Sequence, residues 1–210
     1  MLSLDERLWK LPPDLKPLAD AAWQHRARGA NLRPDGTVQV APMPWVGSDA
    51  FAFVLYPPAE RAWIAGLDSR LDRPAPAIYT AVLAALNGCF AFGLALYGLP
   101  PSIQVRPPRL ERRVLEPLDL DAANHYWARD YHGAEGEFHF GGSTWTETEN
   151  AGYFLAPDGV FRSRRKSGEV LREWRSLRDL LAEELPAAET RHRDRLTGRT
   201  WPWEVRRNDG

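Results

Sequence analysis

Helical patterns recur in several segments of this chain. A short helix is predicted over residues 15–28, and apolar residues at helical spacing predict two more over residues 60–71 and 176–185. At the start of the last segment, Ser176 and Asp179 have the spacing of a capping box, with Asp in place of the usual Glu or Gln. The apolar faces of the second and third helices consist of Trp63, Ile64, Leu67 and Leu71 and of Leu177, Leu180, Leu181 and Leu185.

Strands are predicted where apolar residues alternate, or form short runs, between turn residues. A turn that contains Pro-Asp-Gly leads into a strand near residue 37, and residues 51–56 form a second strand before two consecutive prolines. A short helix over residues 119–131 precedes a further strand over residues 137–145. Residues 150–164 have the pattern of a hairpin, because their Pro-Asp-Gly turn supplies a preset φ and a glycine.

The chain carries no charge between Pro74 and Arg106, which raises the question of a membrane span. A transmembrane helix needs roughly 20 apolar residues, and residues 78–99 have that length. However, Asn87 and Gly88 lie at the centre of the run, and both tolerate the left-handed conformation that ends a helix. We therefore expect a buried helix, a turn and one buried strand, and no membrane span. The strand has a bulky face of Phe90, Phe92, Leu94 and Leu96 and a smaller face of Ala91, Gly93, Ala95 and Tyr97.

Composition and charge favour a soluble globular protein with one main core. The chain has 210 residues, of which 44% are hydrophobic and 26% are charged, and its formal net charge is −1. This charge gives no general attraction to phosphate backbones, so nucleic acid is not the expected primary partner. A single cysteine excludes an internal disulfide, and the first ten residues lack the basic and apolar regions of a secretory signal. The expected location is the cytoplasm.

Few residues could carry chemistry, and none of them forms a recognisable catalytic or metal-binding motif. His125, His132 and His139 lack the closely spaced pair that usually begins a zinc site. Cys89 follows the end of a predicted helix, where the helix dipole raises a thiol pKa. Ser143 is not followed by the second glycine of a nucleophile elbow. We therefore expect no catalytic residue, no cofactor and no metal, although acid and base residues from distant positions could still form an active site.

Pro76, Tyr79 and Leu83 belong to the predicted helix before Asn87 and Gly88, and Phe92 and Gly93 follow in the predicted strand. With these residues, the order of the predicted elements resembles the SUKH superfamily. The marker of that family is a helix with proline, tyrosine and leucine, followed by an Asn-Gly pair and an aromatic-glycine strand. The resemblance covers residues 60–185 and implies an α+β fold, in which a helix pair packs with a curved, mainly antiparallel β-sheet. It makes residues 1–58 an N-terminal extension packed on the core, residues 59–186 the SUKH-like domain and residues 187–210 a C-terminal tail. The residues that match the marker are Pro76, Tyr79, Leu83, Asn87, Gly88, Phe92 and Gly93.

The resemblance also implies a function, that of a non-enzymatic protein-binding module. Many bacterial members of the family resemble immunity proteins, which neutralise a cognate toxin that is often a nuclease or a deaminase. Eukaryotic relatives act as intracellular regulators, so a regulatory or scaffold protein is the alternative within the binding class. An enzyme with dispersed catalytic residues is the alternative from another class. The expected partner is a protein, with a cognate toxin as the first choice.

Two segments are candidate surfaces for this partner. One contains Trp145, Glu147, Glu149 and Tyr153. Its acids would speed encounter with a basic toxin, and its aromatic residues would supply buried anchor area. The other is the basic stretch 162–172, which would suit an acidic partner. The structural alternatives are an ordinary loop with one core tryptophan for the first segment and a solvated hairpin end for the second. We choose the acidic-aromatic segment as the predicted site.

Overall fold

The computed structural model describes residues 4–47, 50–104, 116–144 and 149–197. Nine strands in these ranges form one open sheet, and each strand pairs antiparallel with its neighbours in sequence. The strands are β1 (Ala30–Leu32), β2 (Val38–Pro42), β3 (Phe51–Leu55), β4 (Cys89–Ala91), β5 (Leu94–Leu96), β6 (Phe138–Thr144), β7 (Asn150–Leu155), β8 (Phe161–Arg164) and β9 (Val170–Trp174). Their order across the sheet is therefore their order along the chain.

Eight helices accompany the sheet in the same described ranges. They are α1 (Leu4–Trp9), α2 (Lys16–His25), α3 (Arg61–Ala65), α4 (Leu67–Leu71), α5 (Ala77–Ala85), α6 (Pro101–Gln104), α7 (Leu120–Ala122, Ala123–Trp127 and Ala128–Asp130) and α8 (Leu177–Thr197). The central part of α7 is π-helical. Helices α2 and α8 pack against each other. The predicted α+β class, with a helix pair and an antiparallel sheet, is confirmed.

Most of the local predictions are also confirmed. Helix α2 and the 3-10 turns on either side of it account for the predicted helix over residues 15–28. The helix predicted over residues 60–71 is instead divided into α3 and α4 at Gly66. The Oγ atom of Ser176 accepts a hydrogen bond from the Asp179 N–H at 3.1 Å, as the capping-box spacing predicts.

The predicted N-terminal extension contributes directly to the sheet. Strands β1 to β3 come from this segment, and β3 pairs with β4 so that Phe53 lies opposite Ala91. At the other end, α8 continues through Pro186 to Thr197, so the first part of the predicted tail is helical. The sheet and the α2–α8 contact thus join all three predicted segments.

The uncharged run folds as a helix followed by a β-hairpin. It contains α5, β4 and β5, and Gly88 after the helix has a φ of +85°. The prediction of one continuous strand is wrong, because Phe92 and Gly93 form a tight turn between β4 and β5. Their φ angles are +51° and +88°, and both central residues of a type I′ turn have positive φ. No helix in the described ranges has the length and apolar character needed to cross a bilayer.

The two faces of the sheet carry different helices. On the inner face, as we call it, Tyr153 donates a hydrogen bond to Glu184 of α8, and Phe140 contacts both Tyr153 and α5. On the opposite face, the outer face, Tyr97 contacts Trp127 of α7. The outer face therefore has α7 as its helical cover, whereas α5 and α8 pack on the inner face.

Candidate functional site

The outer face of the sheet contains an open groove with a volume of about 280 Å³. Its floor comes from Ala95 of β5 and Gly142 of β6, which lie opposite each other in the strand register. A Cβ atom at Gly142 would come within 2.9 Å of the Tyr97 hydroxyl, so glycine keeps this space open. The side chains around the floor belong to Phe90, Tyr97, Leu118, Tyr131, Thr144 and Asn150.

Two tyrosines form the wall of the groove on the side of α7. Tyr97 belongs to the segment after β5 and Tyr131 to the segment after α7, and their exposed fractions are only 6% and 7%. The His139 ring supports both of them, with ring centroids 5.2 Å from Tyr97 and 5.4 Å from Tyr131. Burial raises the pKa of both hydroxyls above the ordinary value for tyrosine. At neutral pH the wall therefore combines aromatic area with protonated hydroxyls that can donate hydrogen bonds.

Two acidic residues adjoin lining residues of the groove along the chain, and we call them the acidic rim. They are Asp130 at the end of α7 and Glu149 just before β7. Burial raises the pKa of Tyr131 most, and the charges of Asp130 and Glu149 raise it further. Asp130 is exposed, whereas Glu149 is partly buried and forms a 3.4 Å ion pair with Arg165.

The structure separates the predicted partner-binding residues. Trp145 and Glu147 lie outside the described residues, and Glu149 belongs to the acidic rim. Tyr153 is fully buried on the inner face, where its hydroxyl is 2.8 Å from Glu184 Oε2. The prediction that Tyr153 binds a partner is therefore wrong. The reason is that successive residues of β7 face opposite sides of the sheet, and Tyr153 belongs to the inner set.

Tyr153 instead belongs to a buried polar network beneath α8. The Glu184 side chain is fully buried, and its carboxylate lies 3.1 Å from Arg191 Nη2 and 3.4 Å from Arg172 Nη1. A buried carboxylate is tolerated when cationic and hydrogen-bonding partners compensate for its lost hydration. This network therefore helps to hold α8 on the sheet and is not a partner surface.

The rival basic stretch is largely engaged in ion pairs within the chain. Arg164 donates to both oxygens of the buried Glu137 carboxylate, at 2.8 and 2.9 Å, and Arg162 lies 3.4 Å from the same group. Burial alone would raise the pKa of Glu137, but hydrogen bonds from Arg164 and from the Ala134 N–H outweigh it and lower the pKa. Strand β9, which the sequence did not predict, also pairs with β8 along this stretch. The interpretation as a solvated hairpin end therefore holds only for the turn between these strands.

The other candidate residues occupy buried positions. Cys89 is fully buried, and burial raises the pKa of its thiol to about 12. The predicted direction is confirmed, although burial is the cause, not the helix dipole. Burial lowers the pKa of His139 to about 4, so its imidazole is neutral at neutral pH. Ser143 lies buried in β6. In the described ranges, no three His, Cys, Asp or Glu side chains come together as a possible metal site.

Sequence reasoning missed the groove itself. One signal was present, because the small residues around Ala95 indicate a face without large side chains. The groove also needs Gly142 opposite Ala95 and Tyr131 beside both, and these residues come from separate elements. Their juxtaposition depends on the strand register, which a local pattern does not supply.

Comparison with known proteins gives no match: no family model, no curated protein and no solved structure matches this chain. A functional proposal therefore depends on the geometry of the groove and on the resemblance in element order.

Proposed function

We propose that this chain is a non-enzymatic protein-binding module, and that it acts in the cytoplasm as a SUKH-type immunity protein that neutralises a cognate bacterial toxin of the nuclease or deaminase type. The observation that carries the proposal is the groove on the outer face. It is an open groove lined in part by tyrosines, next to the exposed Asp130 and to Glu149, which forms an ion pair with Arg165.

The residues of the groove suit a protein partner. Tyrosine is enriched among the residues that contribute most to binding energy, and the small exposed parts of Tyr97 and Tyr131 lie in the lining of the groove. Ala95 and Gly142 give a floor of backbone and methyl groups, against which a protruding partner side chain can pack.

The charge at the rim suits a basic partner. Complementary charge mainly raises the association rate, and this effect weakens as salt screens the charges. Nucleases and deaminases act on nucleic acids, and proteins that bind phosphate backbones carry basic surfaces. An acidic rim beside an aromatic groove is therefore the arrangement expected of an inhibitor that covers such a surface.

The resemblance to the SUKH superfamily supplies the more specific part of the proposal. The order of elements from α3 to α8 and the residues from Pro76 to Gly93 carry this resemblance, and the antiparallel sheet with its helix pair is consistent with it. The immunity role comes from the family. The location of the binding site comes from the groove, and the two parts can therefore be tested separately.

The immunity role is tested by purifying the chain from its native cells and identifying the protein that accompanies it. We expect a toxin whose nucleic-acid-directed activity falls to background when the chain is added in equimolar amount. A partner that is a regulatory protein, or a toxin whose activity the chain leaves unchanged, would contradict the immunity role.

The location of the site is tested with a double charge reversal, Asp130→Lys with Glu149→Lys. For a basic partner we expect the association rate to fall by about tenfold at low salt, and the difference from the native chain to shrink at high salt. The matched control is Asp5→Lys with Glu135→Lys, which reverses two exposed acids that neither adjoin the groove lining in sequence nor act on Tyr131. Equal association rates for the Asp130 and Glu149 variant and the control would exclude the acidic rim from the binding site.

A further inference from the structure

A second cavity, which we call the rim pocket, lies beside the end of β3. Its volume is about 290 Å³, and it lies between the segment before β2, the end of β3 and the start of α3. The side chains that give it chemical character are Asp35, Thr37, Tyr56, Glu60 and Trp63.

The aromatic side chains of the rim pocket are held in place. Tyr56 is 4% exposed, and its hydroxyl donates a hydrogen bond to the Glu116 carbonyl at 2.8 Å. Trp63 is half-buried and belongs to α3. Prolines also line the pocket, and a proline ring fixes φ, so this part of the wall is stiff. Because Tyr56 is almost fully buried, Trp63 supplies the accessible aromatic surface of the pocket.

The charged groups of the lining are carboxylates, and none of the described residues that line the pocket is Lys or Arg. Within the described part of the chain, the Glu60 carboxylate forms no hydrogen bond or ion pair. Asp35 accepts a hydrogen bond from the Thr37 N–H at 2.8 Å and lies 3.8 Å from Arg33. Glu60 is thus the carboxylate whose charge is available to a ligand.

One aromatic contact links a residue of the rim pocket with a residue of the groove. The Tyr56 ring lies 6.3 Å from the Phe90 ring in an edge-to-face arrangement, and Phe90 lines the groove. The two cavities therefore lie on neighbouring parts of the surface, and the proposal below assigns both to the same partner.

We propose that the rim pocket receives an arginine side chain of the protein partner. A planar guanidinium stacks on aromatic rings and pairs with carboxylates, so the partly exposed Trp63 ring and the Glu60 carboxylate suit it. A neutral side chain of the same shape would lose the carboxylate interaction. This inference rests on the proposed function, because the arginine belongs to the partner that occupies the groove.

The test uses N-acetyl-arginine methylamide as the probe and its citrulline analogue as the neutral control. The chain is titrated with each compound, and the indole N–H signal of Trp63, assigned with Trp63→Phe, is followed by NMR. We expect the arginine compound to shift this signal in a saturable manner, and the citrulline compound to shift it much less. Equal shifts with both compounds, or no shift up to the solubility limit, would overturn the proposal.

A variant of Glu60 tests whether its carboxylate recognises the arginine probe. Glu60→Gln preserves the shape of the side chain, and we expect it to weaken binding of the arginine probe about threefold or more. Glu135→Gln, an exposed site outside the pocket, should leave probe binding unchanged. Unchanged affinity in Glu60→Gln, with signals outside the pocket undisturbed, would exclude Glu60 as the recognising group and overturn the proposal.

The probe assay contains no partner protein. A negative result would therefore remove the arginine pocket and leave the proposed function standing. The charge reversal at Asp130 and Glu149, in contrast, tests whether the partner binds at the groove. Its outcome does not depend on whether the rim pocket binds arginine.

Discussion

Two glycines with the same backbone conformation allow the cost of a close backbone approach to be measured. Gly88 and Gly159 have φ angles of +85° and +84°. A Cβ atom at Gly159 would have no heavy atom within 4 Å, whereas one at Gly88 would lie 2.7 Å from the Leu96 carbonyl oxygen and 3.1 Å from Pro117 Cβ. Substitution by alanine at both sites therefore separates the cost of conformation from the cost of crowding.

The expected magnitudes follow from these distances. A left-handed conformation costs a non-glycine residue roughly 1 to 2 kcal/mol, so Gly159→Ala should lower the free energy of unfolding by about 1 kcal/mol. Gly88→Ala carries the same conformational cost and in addition a steric cost of about 1 to 3 kcal/mol, because the Leu96 carbonyl belongs to the hydrogen-bonded β4–β5 pair. We expect a total of about 3 kcal/mol. Gly88→Val should lose more, since it adds two further methyl groups.

The assay is urea unfolding of both alanine variants, followed by circular dichroism at a single temperature. Thermal melts give a second measure, since about 1 kcal/mol shifts the midpoint by roughly 2 to 4 °C in a chain of this size. Equal losses of stability in the two variants would refute the reasoning, because they would show that Gly88 matters only for its φ angle.

The remaining predictions concern buried titratable groups. Because burial lowers the folded pKa of His139 to about 4, stability should fall as the pH drops below about 6.5, by about 2 kcal/mol between pH 7 and pH 5. This loss of stability should be absent in His139→Phe. Urea unfolding of the native chain and the variant at pH 7 and pH 5 measures it. An equal loss in the variant would exclude His139 as the source. Glu137→Gln should cost about 2 kcal/mol, because it leaves Arg162 and Arg164 without their buried carboxylate, whereas Glu169→Gln at an exposed ion pair should cost less than about 0.5 kcal/mol. Similar losses in these two variants would contradict a stabilising role for the buried pair.

The elements that the sequence predicted correctly depend on local information. The leucine stripe of α8, its Ser176 cap and the turn at Gly159 are each specified within a few residues. Helix periodicity and turn chemistry act over that range, so these features are visible without the fold.

The β4–β5 hairpin was missed because its turn violates the usual turn chemistry. A type I′ turn favours Asn, Asp or Gly at both central positions, and Phe92 occupies one of them. Tertiary contacts compensate for its unfavourable conformation, since the Phe92 ring lies 5.2 Å from His25, 5.0 Å from Phe53 and 5.6 Å from His192. These partners come from α2, β3 and α8, so no local pattern could have indicated the turn.

The groove remains open because α7 covers only the part of the outer face that offers apolar side chains. A helix gains stability on a sheet in proportion to the apolar surface that it buries, and Tyr97, His139 and Phe154 offer a continuous aromatic surface to α7 and the residue after it. The neighbouring row of Ala95 and Gly142 offers almost none, so a helix would gain little by extending over it. For the same reason this row can remain open without forming the large exposed apolar patch that promotes aggregation. Small residues on the outer face thus leave the groove open, and in the function proposed above this open surface is the one that the partner covers.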